Sequence, residues 1–157
     1  MKMKSILLSV VLISGILLVS CKKEDDATPA GGNGSFSLSY DGTSWNAGLS
    51  VQAVNSGGVI NVTGSDASAH QAAISLFGVS APGTYKVGPN GTNGNAIRWT
   101  EGIDPTQTYT ANSVVGSGTI TITELSATGI KGTFSGTVYN TAQTKKAITN
   151  GKFEAKF

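Results

Sequence analysis

Apolar and polar residues alternate along most of the chain after residue 34, and this period of two predicts half-buried β-strands. Phe36, Leu38 and Tyr40 fall on one face of the first such segment, with serines between them. Asp41-Gly42 then gives a strong hairpin signal, after which the alternation resumes at Trp45. The same pattern predicts strands at residues 35–40, 45–53, 59–63, 72–79, 84–87, 96–100, 108–111, 118–125, 130–140 and 148–157.

This arrangement of about nine or ten short strands separated by turn residues predicts an all-β fold. No segment shows a sustained helical period, and the 21 glycines favour tight turns over helices, since glycine costs about 1 kcal/mol relative to alanine inside a helix. We expect a two-sheet antiparallel β-sandwich. A flattened meander barrel is the alternative.

The first twenty residues have a different character from the rest of the chain. Lys2 and Lys4 precede an apolar run from Ile6 to Val19. At a helical rise of 1.5 Å per residue the run spans roughly 21 Å, which is short of the ~30 Å hydrocarbon core of a bilayer. We interpret residues 1–20 as a signal peptide that is removed from the mature protein.

The apolar run ends at Leu18-Val19-Ser20-Cys21, and Cys21 is the only cysteine in the chain. These four residues resemble the lipobox of bacterial lipoproteins, in which the cysteine becomes the acylated N terminus of the mature chain. The resemblance implies that Cys21 carries palmitate-type acyl chains and anchors the protein to a membrane without spanning it. An ordinary signal peptide with an incidental cysteine is the alternative.

Lys22-Lys23-Glu24-Asp25-Asp26 follows the cysteine and resembles the acidic export signal of lipoproteins of the Bacteroidetes type. The resemblance implies the outer membrane and the cell surface, with the periplasmic face of that membrane as the alternative. Residues 21–34 have no apolar periodicity and are predicted to form a flexible, acylated tether with a mean reach of roughly 20 Å. Residues 35–157 are then the all-β domain.

The charge composition argues against a nucleic-acid partner. The chain has 11 lysines and arginines and 9 aspartates and glutamates, and Lys2 and Lys4 leave with the signal peptide, so the mature side chains are close to neutral. Arg98 is the only arginine, so there is no basic stripe. With Cys21 acylated, no thiol remains for a disulfide, a metal site or catalysis, and we expect no cofactor.

Four segments of the domain form an ordered set: Phe36–Tyr40 with Asp41-Gly42 and Trp45, Pro82-Gly83-Thr84-Tyr85, Gly132-Thr133-Phe134-Ser135, and Ile148-Thr149-Asn150-Gly151-Lys152-Phe153. In that order they resemble a family of domains of unknown function in Bacteroidetes-type lipoproteins. The resemblance covers essentially the whole mature domain. The family has no assigned catalytic residues, so the resemblance implies none here.

His70, the only histidine, lies in a polar loop four residues after Asp66. A pair of this kind is too small for a zinc site, which usually has three or four protein ligands. We therefore predict a solvated loop histidine and no metal site.

Glu101 and Asp104 lie in one irregular stretch and are the best candidates for a pair of carboxylates. Such a pair is the chemistry of glycoside hydrolysis. With Asn95 and Thr106 the two carboxylates also suggest weak calcium binding, although calcium prefers six to eight oxygen ligands.

Trp99 stands beside Arg98 and close to Tyr109, between two irregular loops. The three side chains suggest a platform on which a sugar ring or a peptide stacks, since an indole buries apolar surface and leaves polar contacts at its rim. The alternative, which we favour, is that Trp99 belongs to the core, because Ile97 and Trp99 share one strand face.

The sequence therefore predicts a membrane-anchored cell-envelope lipoprotein whose domain is a non-catalytic binding or structural module. Its ligand is not identified by the sequence; a glycan and a protein are both open. The alternative is a hydrolase that acts on envelope or dietary glycans with Glu101, Asp104 or His70. Convergence of these three residues in one cleft favours the enzyme, and an exposed patch of Trp99, Tyr109 and Arg98 favours binding.

Overall fold

A computed structural model describes residues 34–91 and 93–157. The predicted signal peptide, Cys21 and the tether up to residue 33 lie outside the described residues. Within them, no helix is long and apolar enough to cross a membrane.

The described chain is built from eleven strands. They are β1 (Gly34–Tyr40), β2 (Thr43–Asn46), β3 (Ser50–Ser56), β4 (Val59–Ser65), β5 (Gln71–Phe77), β6 (Gly83–Val87), β7 (Ala96–Thr100), β8 (Thr108–Ala111), β9 (Ser117–Leu125), β10 (Gly129–Tyr139) and β11 (Lys145–Lys156). A single 3-10 turn, Pro105–Gln107, is the only helical element in the part of the chain that the structure describes.

All eleven strands belong to one antiparallel sheet, in the order β2-β1-β11-β10-β8-β7-β5-β4-β3, and the β6–β9 pair branches from β10. The all-β prediction is confirmed, and the barrel-like alternative describes this curled sheet better than two separate sheets do. The strands form one sheet and not two because β10, with 11 residues, is long enough to pair with both β9 and β8. Residues 130–137 of β10 pair with β9 and its last residue, Tyr139, pairs with Thr110 of β8, so the sheet is not interrupted.

The first hairpin forms as predicted. Asp41 and Gly42 both have positive φ values, 46° and 85°, as the turn that matches the twist of two antiparallel strands requires. Trp45 pairs with Leu38 on the return strand and is buried. The predicted strand 45–53 is, however, two strands, because the chain leaves β1 after Asn46 and joins β4 as β3.

The crossing between β2 and β3 connects the two sides of the curled sheet. The Ala47 N–H donates to the Phe36 carbonyl oxygen of β1 at 2.9 Å, and the Leu49 N–H donates to the Ser65 carbonyl oxygen at the end of β4 at 2.9 Å. Gly64 of β4 packs against this crossing: a Cβ at Gly64 would lie 2.7 Å from the Phe36 Cβ and 2.8 Å from the Ala47 Cβ. The curl is therefore closed by a contact that tolerates no side chain at residue 64.

Gly64→Ala is expected to lower the free energy of unfolding by about 1–3 kcal/mol, the usual cost of overpacking a core. Denaturant unfolding measures the change. Gly48→Ala is the matched control, because Gly48 lies on the same crossing and nothing lies within 4 Å of a Cβ there. Equal stabilities for the two variants would contradict the close approach of β1 and β4.

The inner face of the sheet is filled by the apolar residues of the alternating pattern. Phe36, Phe134 and Phe153 form an aromatic group with ring centroids 5.4–6.3 Å apart. Around them lie fully buried aliphatic side chains from β3, β4, β5, β7, β9 and β11: Val51, Ile60, Val62, Ile74, Leu76, Ile97, Ile120, Ile122 and Ile148. The interior is thus a packed hydrophobic core formed by a single curled sheet.

Candidate functional site

The ends of β1, β4 and β7 and the starts of β8 and β11 lie close together at one end of the curled sheet, which we call the pole, because neighbouring strands run in opposite directions. The register places Tyr40 of β1 opposite Ile148 of β11, and Thr100 of β7 opposite Thr108 of β8. We call the side chains collected there the polar–aromatic cluster. Its members are Tyr40, Asp41, Trp45, Asp66, His70, Trp99, Glu101, Tyr109 and Lys146.

Trp99 is the centre of the polar–aromatic cluster and is fully buried. The His70 ring stacks on it with a centroid distance of 5.6 Å and an interplanar angle of 4°. The Tyr40 ring lies 4.7 Å away, and the Trp45 ring meets it edge-on at 5.0 Å. The interpretation of Trp99 as a core residue is confirmed.

The stacking platform suggested for Trp99, Arg98 and Tyr109 is wrong. Trp99 and Tyr109 are 0% and 3% exposed, since both point to the inner face of two paired central strands, β7 and β8. Arg98 precedes Trp99 on β7 and therefore points to the outer face, where it is exposed. The three side chains do not share one accessible surface.

Asp66 is the main hydrogen-bond acceptor of the polar–aromatic cluster. Its Oδ2 accepts from the Trp45 Nε1–H at 2.8 Å and contacts the His70 Nδ1 at 2.9 Å. Its Oδ1 accepts from the backbone N–H groups of Ser68 and His70. Burial acts to raise the pKa of Asp66, but the hydrogen bonds from His70, Trp45 and Ser68 outweigh burial and hold the pKa below its usual value.

His70 is less exposed than a solvated loop histidine would be. Its side chain is 27% exposed, because one face of the imidazole covers Trp99 while Nδ1 contacts Asp66. No group of three or more potential metal ligands occurs among residues 34–91 and 93–157. The pair of Asp66 and His70 therefore orders the loop between β4 and β5.

Glu101 links Trp99 of β7 to Lys146 of β11. Its Oε1 accepts from the Trp99 Nε1–H at 2.9 Å and lies 3.1 Å from the Lys146 Nζ. The same ammonium lies 3.5 Å from the Asp41 Oδ2, and over the rings of Tyr40 and Tyr109 at 5.5 Å and 5.1 Å. Glu101 thus connects β7 to β11 and to the first hairpin.

Lys146 is the cluster residue that the sequence interpretation missed. The side chain is only 16% exposed, and burial acts to lower the pKa of Lys146. The hydrogen bond and charge of Glu101 outweigh burial, with help from Tyr109 and Asp41, and raise the pKa above its usual value. The missed signal was the alternation itself, because Lys146 shares its parity with the inward Ile148.

The four predicted calcium ligands do not form one site, because only Asp104 and Thr106 contact each other. The Asp104 carboxylate caps the 3-10 turn by accepting from the Thr106 N–H at 2.9 Å and the Thr106 hydroxyl at 2.8 Å. These bonds from Thr106 hold the pKa of Asp104 below its usual value. Asn95 is buried elsewhere, where it accepts from the Phe77 N–H and donates to the Lys86 carbonyl oxygen between β5 and β6.

The polar–aromatic cluster brings His70 and Glu101 to the same indole: the His70 ring stacks on Trp99, and Glu101 accepts a hydrogen bond from the Trp99 Nε1–H. The carboxylates of Glu101, Asp66 and Asp104 each accept hydrogen bonds from the protein itself. A general acid needs a raised carboxyl pKa, whereas the pKa values of Asp66 and Asp104 are lowered. The arrangement is a polar cap of side chains that bind one another over the hydrophobic core.

The fold and this cap define the described part of the chain as an all-β domain made from one curled antiparallel sheet. A family model described as a domain of unknown function, DUF6252, matches residues 32–155. The chain therefore belongs to this family, and the expected membership of a family of domains of unknown function is confirmed. No curated protein and no solved structure gives a match.

Proposed function

We propose that the protein is a lipoprotein of the cell envelope, acylated at Cys21, and that its domain is a non-catalytic binding or structural module. The observation that supports a non-catalytic role is the polar–aromatic cluster. Its carboxylates and its lysine are bound to one another or to indole N–H groups, and the buried Trp99 packs beside them. Contacts with a ligand or partner then fall on the surface of the sheet.

The direction of β1 indicates the end of the domain to which an anchored tether would be attached. The strand begins at Gly34 and reaches the polar–aromatic cluster at Tyr40, roughly 20 Å away. An anchor at Cys21 therefore enters the domain at the end opposite the cluster. We propose that the domain lies on the outer surface of the outer membrane, with the periplasmic face of that membrane as the alternative.

The partner that suits such a domain is a glycan or a protein of the envelope. The single arginine and the balanced charge of the mature chain disfavour nucleic acid. No cofactor is needed for a binding module of this kind.

Cys21→Ala is expected to move the protein from the membrane fraction to the soluble fraction, because two or three acyl chains hold a protein stably on a bilayer and the variant has none. Cell fractionation and incorporation of an alkyne-labelled fatty acid measure this. Ser20→Ala is the matched control, since it keeps a small residue before the cysteine and should remain labelled and membrane-bound. A wild-type protein that incorporates no fatty acid would contradict the proposed acylation at Cys21.

The surface orientation has its own test. Protease added to intact cells should remove the wild-type domain if it lies on the outer face. Full protection in intact cells, with digestion after the outer membrane is opened, would assign the domain to the periplasmic face instead.

A further inference from the structure

The outer face of β4, β5, β7 and β8 carries a groove that is lined in part by Arg98. We call it the Arg98 groove; it is lined by Asn61, Thr63, Ala73, Ser75, Ala96, Arg98 and Thr110. Its volume of about 470 Å³ falls within the ~300–1,000 Å³ of small-molecule sites. It lies on the face of the sheet opposite Trp99 and is separate from the polar–aromatic cluster.

Strand register builds the groove from two rows of residues that cross the sheet. One row runs from Thr63 through Ala73 and Arg98 to Thr110. The next runs from Asn61 through Ser75 to Ala96. Ala73 and Ala96 are short, so they form a floor between the longer polar side chains on either side.

Arg98 is held in position but its charge is not neutralised. The Arg98 Nη2 donates to the Gln71 Oε1 at 3.0 Å, which fixes the guanidinium beside the groove. None of the ion pairs within the described ranges involves Arg98, whereas Lys131 and Lys146 each contact two carboxylates. The only arginine of the chain is therefore a prepositioned cation in a groove of otherwise neutral residues.

The remaining lining supplies neutral hydrogen-bonding groups. The Ser75 hydroxyl donates to the Asn61 Oδ1 at 2.7 Å, which orients the Asn61 amide so that its Nδ2 hydrogens are available to a ligand. In the first row Thr110 is the direct neighbour of Arg98, and Thr63 lies on the other side of Ala73, so each end of the row supplies a hydroxyl. These groups match the hydroxyls of a sugar, each of which both donates and accepts hydrogen bonds.

We propose that the Arg98 groove binds a linear glycan that carries carboxylates, such as a polyuronate. The planar guanidinium forms paired, charge-assisted hydrogen bonds with a carboxylate, and the amide and hydroxyl groups bind the neighbouring sugar hydroxyls. This inference rests on the proposed binding function and names its ligand class and its site.

Two other acidic polymers fit the groove less well. An extended peptide would add to a free strand edge, but β4, β5, β7 and β8 are all paired on both sides, and the lining offers no large apolar side chain for a peptide anchor. A nucleic acid would need several cations along its backbone, and Arg98 is the only cation in the lining.

The test measures binding of the full chain, extracted from membranes in a non-ionic detergent, to immobilised polygalacturonate at physiological salt. The same polymer with its carboxylates methyl-esterified is the paired probe, and dextran sulfate and poly-glutamate are the competing anions. Arg98→Gln should raise the Kd by at least about tenfold. Lys152→Gln, which removes one exposed charge from β11, should change it less than twofold.

The proposal is supported if polygalacturonate binds, the esterified polymer does not, and Arg98→Gln alone weakens binding. It is overturned if polygalacturonate does not bind, if both polymers bind equally, if Arg98→Gln matches the wild type, or if dextran sulfate or poly-glutamate competes as well as polygalacturonate. New reducing ends in the same samples would instead overturn the non-catalytic function, so the two failures are distinguishable.

Discussion

Trp99→Ala is expected to lower the free energy of unfolding by about 3–5 kcal/mol, the usual cost of truncating a buried tryptophan to alanine. The indole is fully buried and contacts the rings of Tyr40, Trp45 and His70. Small domains have only about 5–15 kcal/mol of stability in total, so the variant should unfold at a much lower denaturant concentration. Intrinsic fluorescence and circular dichroism during denaturant unfolding measure the change.

Trp99→Phe separates the packing of the ring from its hydrogen bond. This variant keeps an aromatic ring between Tyr40 and His70 but loses the Nε1–H that donates to Glu101. We expect a smaller loss, about 1–2 kcal/mol, from the lost hydrogen bond and the reduced volume. A Trp99→Ala variant as stable as the wild type would contradict the core position of Trp99 and would favour the stacking-platform hypothesis instead.

The alternation of apolar and polar residues predicts most of the strands and the direction of most side chains, although it joins β2 and β3 into one strand. Phe36, Leu38, Ile120, Ile122 and Phe153 are all buried on the inner face, as the period of two predicts. The alternation is a local property of each strand, fixed by the pleat of the backbone, so it can be deduced without knowing which strands are neighbours.

Strand order cannot be deduced from the alternation, because it depends on pairings between residues far apart in the chain. β1 pairs with β11, and β10 pairs with both β8 and β9. No local signal in the sequence distinguishes this strand order from two sheets made of the same strands. The choice between a sandwich and one curled sheet therefore required the register, in particular the contact of Gly64 with Phe36.

The contacts within the polar–aromatic cluster can likewise be predicted from the sequence only where the two residues are close together in the chain. Asp66 and His70 are close in sequence, and their pairing was considered from the spacing alone. The bond from Trp45 to Asp66 and the pair of Lys146 with Glu101 join distant strands. They form only because the antiparallel order brings the ends of β1, β4, β7 and the start of β11 to one pole.

Asp66→Ala is the second variant with a large expected effect, a loss of about 2–4 kcal/mol in the free energy of unfolding. The carboxylate accepts from the Trp45 indole and from the backbone N–H groups of Ser68 and His70. Removing it leaves the part-buried donors of Trp45 and His70 without their acceptor, and a buried unsatisfied donor costs about 1–3 kcal/mol, whereas the exposed Ser68 N–H can bond to water. Asp66→Asn should lose less, because its side-chain oxygen still accepts one of these hydrogen bonds.

The pH dependence of unfolding tests the charge on Asp66 apart from its shape. The pKa of Asp66 in the folded state lies below its ordinary value of 3.8, so the unfolded chain binds the proton more tightly. The stabilisation is therefore complete above that ordinary value and is lost as the pH falls through the lower pKa of the folded state. Denaturant unfolding of the wild type should show this loss at acidic pH, and Asp66→Asn should show less of it. Identical acid profiles for the two proteins would mean that the ionised carboxylate does not stabilise this pole, and that the contact of Trp45 with residue 66 depends on shape alone.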